Sequence, residues 1–180
     1  MNKATKNLEE DHVSILRLIE VMEQWTKRSD PDINHLETII NIIRGFADGI
    51  HHAKEELKLF PFLIRNGFRL ESGPVAVMLA EHVAGRNFVK AMSLASERYK
   101  SGNLSALADI RANMLNYAEL LKNHIGKENM VLFRMADNLM LESVQASMFA
   151  DFLKAENHTE TGITKSMYLE KIGQLHQFYS

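Results

Sequence analysis

The chain has 180 residues, 46% of them hydrophobic and 24% charged, with a formal net charge of −2; that length suits one domain with a sizeable core, and the near-balance of charge gives no electrostatic basis for holding nucleic acid or an acidic membrane surface. Cysteine is absent, which excludes disulfides, thiolate metal sites, cysteine-ligated iron–sulfur clusters and cysteine nucleophiles. The opening MNKATKNLEEDHV carries no apolar stretch of the signal-peptide kind, and no run approaches the ~20 apolar residues of a membrane span, so a cytoplasmic location is expected.

Few prolines among many Leu, Ile, Met, Glu and Lys favour helix, and apolar residues recur at i, i+3, i+4 and i+7 rather than in alternation. Leu8, Ile15, Leu18, Ile19 and Met22 mark a first helix over about 5–28. Asp30-Pro31-Asp32 is a start signal for a second, which carries Leu36, Ile40, Ile43, Ala47, Ile50, Leu57 and Phe60 and should stop at the Asn66-Gly67 pair. Ser72-Gly73-Pro74 opens a third, with Val75, Met78, Leu79 and Val89 on one side. Ser101-Gly102-Asn103 separates it from a fourth, where Leu107, Ile110, Met114, Leu121, Ile125 and Leu132 recur. Two shorter helices are expected around 141–156 and 164–178. The pattern predicts an all-α fold: an up-and-down antiparallel four-helix bundle over 1–140, with a C-terminal helical extension over 141–180.

Within the bundle the sequence repeats itself. HHAKEELKLF (51–60) aligns with HIGKENMVLF (124–133), so that His, Lys, Glu, Leu and Phe fall at the same offsets. Upstream, EDHV (10–13) and EHVAGR (81–86) each set an acidic residue before a His. The chain therefore reads as two related helical hairpins, each giving one His from its first helix and His-x3-Glu from its second. Residues four apart on a helix lie about 40° beyond a full turn and ~6 Å along the axis, so such a His and Glu face one centre. In an antiparallel hairpin, residues equidistant from the turn are level. The midpoint of His12 and His51 falls in Asp30-Pro31-Asp32, and that of His82 and His124 in Ser101-Gly102-Asn103.

Six ligand-type side chains, His12, His51, Glu55, His82, His124 and Glu128, should thus meet at one depth. Burying two carboxylates and four imidazoles without a cation would cost several kcal/mol per charge and leave polar atoms unpaired. The set is too large for a single structural zinc. Shared between two ions, each takes two His, each Glu bridges, and positions remain for an oxo or hydroxo bridge and a small molecule. Nitrogen and oxygen donors without sulfur suit two iron ions best, with manganese or zinc as alternatives. Asp11, Glu56 and Glu81 are placed to orient imidazole N–H groups.

The segments EDHV, HHAKEELKLFP, EHVAGR and HIGKENMVLF resemble the hemerythrin-like, or HHE cation-binding, family over about residues 5–137. The resemblance implies a non-haem di-iron centre inside a four-helix bundle, able to meet O2, NO or peroxide. Oxygen-carrying hemerythrins use five His, two of them on the third helix at i and i+4, and a last carboxylate five residues after its His. Here Arg86 stands four after His82, and Glu128 follows His124 by four. The four-His, two-Glu set is closer to the bacterial iron–sulfur-cluster repair proteins, although the cysteine-bearing N-terminal domain of many of those is missing.

Three readings follow: binding or sensing of a small diatomic ligand (O2 or NO); an oxidative or nitrosative stress role with peroxide or NO reduction or iron delivery for cluster repair; and a metal-free helical interaction module. Whether the protein is an enzyme stays open at this stage. His52 and Glu56, offset by about 100° from the ligands, are placed at the rim or just behind the ligands, and a register with His52 and Glu56 as the ligand pair is set aside because the repeat puts Ile125 and Asn129 at those positions. Arg86 is read as a partner for an anionic ligand or Glu, or as a surface cation. Tyr117 is read as core or as a donor to the bridging group. His35, His158 and His176 are placed on the surface. Gly45, Gly49, Gly85 and Gly126, close to the ligands, suggest close helix approach or room for a small molecule. The apolar tail residues Met148, Phe149, Phe152, Met167, Tyr168, Leu175 and Phe178 suggest a cap on the bundle or a homodimer contact.

Overall fold

A computed structural model describes residues 3–157, 159 and 162–180. Six helices account for its regular structure: α1 (Ala4–Lys27), α2 (33–65), α3 (Pro74–Lys100), α4 (106–139), α5 (Glu142–Asn157) and α6 (Lys165–Tyr179), and no strand occurs among the described residues. The first four form the expected bundle. The two long second helices of the hairpins are not uniformly α-helical. In α2, π-helical stretches cover Ile43–His52 and Glu55–Leu59, and in α4 a π turn covers Glu128–Leu132. All three adjoin or include the His-x3-Glu segments.

Helix ends follow local chemistry. Asp32 caps α2, its carboxylate accepting from the Asn34 N–H at 2.7 Å and the His35 N–H at 3.4 Å. At the far end, the Phe68 N–H bonds the Leu63 carbonyl and the Gly67 N–H bonds that of Ile64. The same double closure follows α3, where Asn103 bonds Arg98 and Gly102 bonds Tyr99. This closure needs a left-handed residue, and Gly67 and Gly102 supply it with φ of 100° and 95°.

The apolar side chains form two separate cores. One, toward the Asp30-Pro31-Asp32 turn, includes Ile19, Trp25, Phe46, Ile50, Val89, Met114 and Leu121. The other, toward the Gly67 loop, includes Leu8, Phe60, Leu63, Val75, Met78 and Phe133. The polar layer of the ligand-type residues lies between them along every bundle helix. The extension joins both: Met148 and Phe152 of α5 enter the second core, and Tyr168, Ile172, Leu175 and Tyr179 of α6 enter the first. Gly45 makes room for this docking, since a Cβ there would stand 1.9 Å from the Tyr168 hydroxyl oxygen. Phe178 and Met167 stay exposed instead.

Candidate metal centre

All six expected residues are at most 1% exposed and come together. The imidazoles meet in pairs, one pair per hairpin. The Nε2 atoms of His12 and His51 are 3.0 Å apart, and those of His82 and His124 are 3.2 Å apart. Each glutamate spans the two pairs. Glu55 lies 3.6 Å from His51 Nε2 through one oxygen and 3.5 Å from His82 Nε2 through the other. Glu128 Oε2 lies 3.2 Å from His12 Nε2 and 3.3 Å from His124 Nε2.

The outward faces of the rings explain why the Nε2 atoms point inward. Each Nδ1–H donates to an oxygen: His12 to Asn129 at 2.7 Å, His51 to Asp11 at 3.2 Å, His82 to Glu56 at 2.7 Å and His124 to Glu81 at 2.9 Å. This fixes the tautomer with its lone pair on Nε2, the arrangement of a metal-ligating imidazole. The three carboxylates among these acceptors are in turn paired with cations, Asp11 with Lys54 and Lys165, Glu56 with Arg86, and Glu81 with Lys127. The outer layer is therefore close to neutral by itself, and the inner charge is that of Glu55 and Glu128.

That inner charge has no partner. Both oxygens of Glu55 and both of Glu128 are buried without a hydrogen bond. Burial and the facing Glu128 push the Glu55 carboxyl well above its usual range. Burial would push Glu128 up too, but the imidazoles of His124 and His12 hold it at about 2. Burial also depresses the imidazoles: His51 falls to about 3 despite Asp11, and His82 falls further under burial and the neighbouring His52 and His124. Buried imidazole nitrogens and unbonded carboxylate oxygens aimed at one another are costly as a cluster by themselves and well matched as a donor set for cations.

The structure corrects the placement of His52 at the rim. His52 is 4% exposed, its ring stacks on His82 with centroids 3.8 Å apart, and its Nδ1 lies 3.3 Å from Asp48. Donor atoms of His52, Glu55, His82 and His124 all lie within 4.8 Å of one another, as do those of His12, His51, Glu55 and Glu128. The first pair of imidazoles thus stays a pair, while the second becomes a trio. The π-helical stretch ending at His52 supplies the physical reason. Hydrogen bonds five residues apart put more residues in each turn than the α-helix has, so the angle between His51 and His52 is less than the 100° assumed, and both reach inward.

Glu56 sits behind His82 as a hydrogen-bond acceptor. Arg86 binds Asp48 and Glu56 at 2.8 and 2.7 Å, tying together the acceptors of His52 and His82. Tyr117 is buried against Gly85 and lines a pocket of about 180 Å³ with His52, Asp48, Arg44, Arg86 and Lys90. A side chain on Gly126 would meet nothing within 4 Å, so close approach does not explain that glycine. His35 is half-buried, bonded to the Tyr179 hydroxyl, and His176 pairs with Glu20 near the surface; His158 lies outside the described residues.

A four-helix bundle carrying two adjoining His/Glu clusters on a shared carboxylate layer defines a protein built to hold metal cations, and the clusters fit a di-iron-type site. The hemerythrin HHE cation binding domain matches residues 3–136, and the chain belongs to that family. A comparison with curated proteins gives no match. No helix among the described residues is long and apolar enough to cross a membrane.

Proposed function

We propose that the protein binds two iron ions and uses them to bind or sense a small diatomic ligand, O2 or NO. The observation that carries this reading is the set of four unpartnered carboxylate oxygens on Glu55 and Glu128, set between inward-facing imidazoles. In this assignment His12 and His51 hold one ion, His52, His82 and His124 hold the other, and the two glutamates bridge. An iron pair, when bound, supplies redox-active metal with positions open to O2 or NO. The donor set would give each ion four protein groups, since Glu128 joins His12, His51 and Glu55 while His52 joins His82, His124 and Glu55, and further positions would remain for a small molecule. It also supplies a fifth His, from the second helix where the oxygen carriers take it from the third, which favours ligand binding over the four-His repair pattern.

The protein's own residues contribute three things. The outer acceptors hold each ring in its ligating tautomer. Leu8, Phe60 and Phe133 close the centre on one side, with Phe133 stacked on His12 at 5.5 Å, and so keep bulk water from that face. The Glu55 and Glu128 carboxylates, finally, would offset two of the four charges of two divalent cations, and the cations would give their unbonded oxygens a partner.

The pocket beside His52 supports a second reading, reduction of peroxide or NO, because it is open to solvent-borne reactants and carries Arg44, Arg86 and Lys90. Metal analysis of protein purified without chelator, followed by mixing the reduced form with O2, NO or peroxide, separates the two. About two iron per chain with a stable adduct supports sensing or binding. Multiple turnovers with an electron donor support the reductase, and less than one iron per chain overturns both.

A further inference from the structure

Lys54 is one of the largest fully buried side chains in the protein, an unusual place for an ammonium group. Its Nζ donates to Asn7 Oδ1 at 2.8 Å, Asp11 Oδ2 at 2.8 Å and Glu156 Oε1 at 2.5 Å. Lys165 closes the circuit, lying 2.6 Å from Asp11 Oδ1 and 2.8 Å from Glu156 Oε1. Two carboxylates and two ammonium groups thus form a charge-balanced quartet. Its Asp11 member is the acceptor of His51 Nδ1–H. Glu156 belongs to α5 and Lys165 to α6, both beyond the residues matched by the family. The Phe152 ring, also from α5, covers Lys54 at 5.5 Å.

We propose that the C-terminal helices are a working part of the metal centre: Glu156 and Lys165 set the charge on the Asp11–Lys54 pair, and through Asp11 they tune His51 and the ion it holds with His12. A carboxylate accepting from an imidazole Nδ1–H raises the basicity of the opposite nitrogen. Ammonium groups on that carboxylate weaken the effect, and Glu156 restrains the ammonium groups. In a site removed from water these charges act with little screening. The second hairpin is the internal control. Lys127 pairs with Glu81, the acceptor of His124, but the side chain of Lys127 is 42% exposed. The extension therefore acts on one half of the centre.

Asp11, Lys54, Glu156 and Lys165 are positioning residues here, and the proposal rests on the reading of a two-iron centre. The test compares full-length, iron-loaded wild type with Lys165→Met, Glu156→Gln, Lys165→Arg and Lys127→Met, reading iron per chain and the midpoint potentials of the two iron steps. In parallel, NMR of the metal-free proteins reads the His51, His82 and His124 Nδ1 protons. Lys165→Met should shift one potential negative and move the His51 proton downfield, because Asp11 regains charge. Glu156→Gln should shift the same potential positive and the proton upfield. Lys165→Arg should return the wild-type values, and Lys127→Met should leave the His51 proton in place. Shifts of the same sign in Lys165→Met and Glu156→Gln, as simple loosening would give, overturn the proposal, as does no shift in either. If the wild type binds no iron, the two-iron reading fails, while the metal-free NMR still decides whether the quartet governs His51.

Discussion

The two hairpins build their halves of the centre from equivalent residues. The acid before the first-helix His, Asp11 or Glu81, orients the His of its own hairpin's second helix. The residue after the motif's glutamate, Glu56 or Asn129, orients the first-helix His of the other hairpin. Lys54 and Lys127, each three residues after its motif's His and one before its Glu, pair with Asp11 and Glu81. Against this common plan three differences stand out. His52 replaces Ile125, Glu56 replaces Asn129, and Lys54 is buried where Lys127 is exposed. A duplicated motif thus specifies the shared donor set, while single substitutions and the neighbouring extension make the halves unlike.

Removing a bridging carboxylate should have the largest effect, because Glu55 and Glu128 each touch both halves. Glu55→Ala and Glu128→Ala should each lose at least one iron by metal analysis, whereas Glu56→Ala, which takes away only an orienting acceptor, should keep both. Equal losses from Glu55→Ala and Glu56→Ala would mean that the wrong register had been assigned to α2.

The two lysines separate the halves energetically. Lys54→Met breaks a buried ion network and should destabilise the protein by about 3 kcal/mol. Lys127→Met removes an exposed pair and should cost under about 1 kcal/mol. Urea denaturation of the two variants reads the difference, and similar midpoints would deny that the extension buries only the first half.

Acid should reach both halves. The unfolded chain takes up protons on histidine near pH 6.5, but His51 when folded does so only near 3, and His52 and His82 are lowered in the same direction by burial. A depressed folded value means stability that is present above the unfolded value and lost as pH falls. Between pH 7 and 5 the metal-free protein should therefore lose about 2 kcal/mol from His51 alone. Glu55, raised by burial and by Glu128, opposes this trend. A denaturation midpoint that stays flat or rises on acidification would contradict the depression of His51. The smallest effect is expected of His52→Ile, which gives the first hairpin the residue that the second carries at Ile125. It should alter the visible spectrum and weaken one ion without abolishing iron binding, and an unchanged spectrum would return His52 to the rim.

Much of this design could be read from residue order. Asn66-Gly67 and Ser101-Gly102-Asn103 mark turns because a helix that ends in a left-handed residue favours glycine, a local rule. The six inward residues are legible because i,i+4 spacing and distance from a turn set face and height in a straight helix. His52 escaped the same reasoning because it assumes α-helical angles, and the π-helical stretch that changes them leaves no periodic signal. Lys54 escaped because its partner Glu156 lies about a hundred residues away, in an extension whose packing shows in sequence only as scattered apolar residues.

The central claim is that two cations lie between Glu55 and Glu128. Anomalous diffraction at the iron edge from crystals of the iron-loaded protein tests it most directly. We expect two peaks, one against His12 and His51 and one against His52, His82 and His124, with both glutamates touching each. A single peak, or iron bound elsewhere while Glu55 and Glu128 remain unligated, would contradict it.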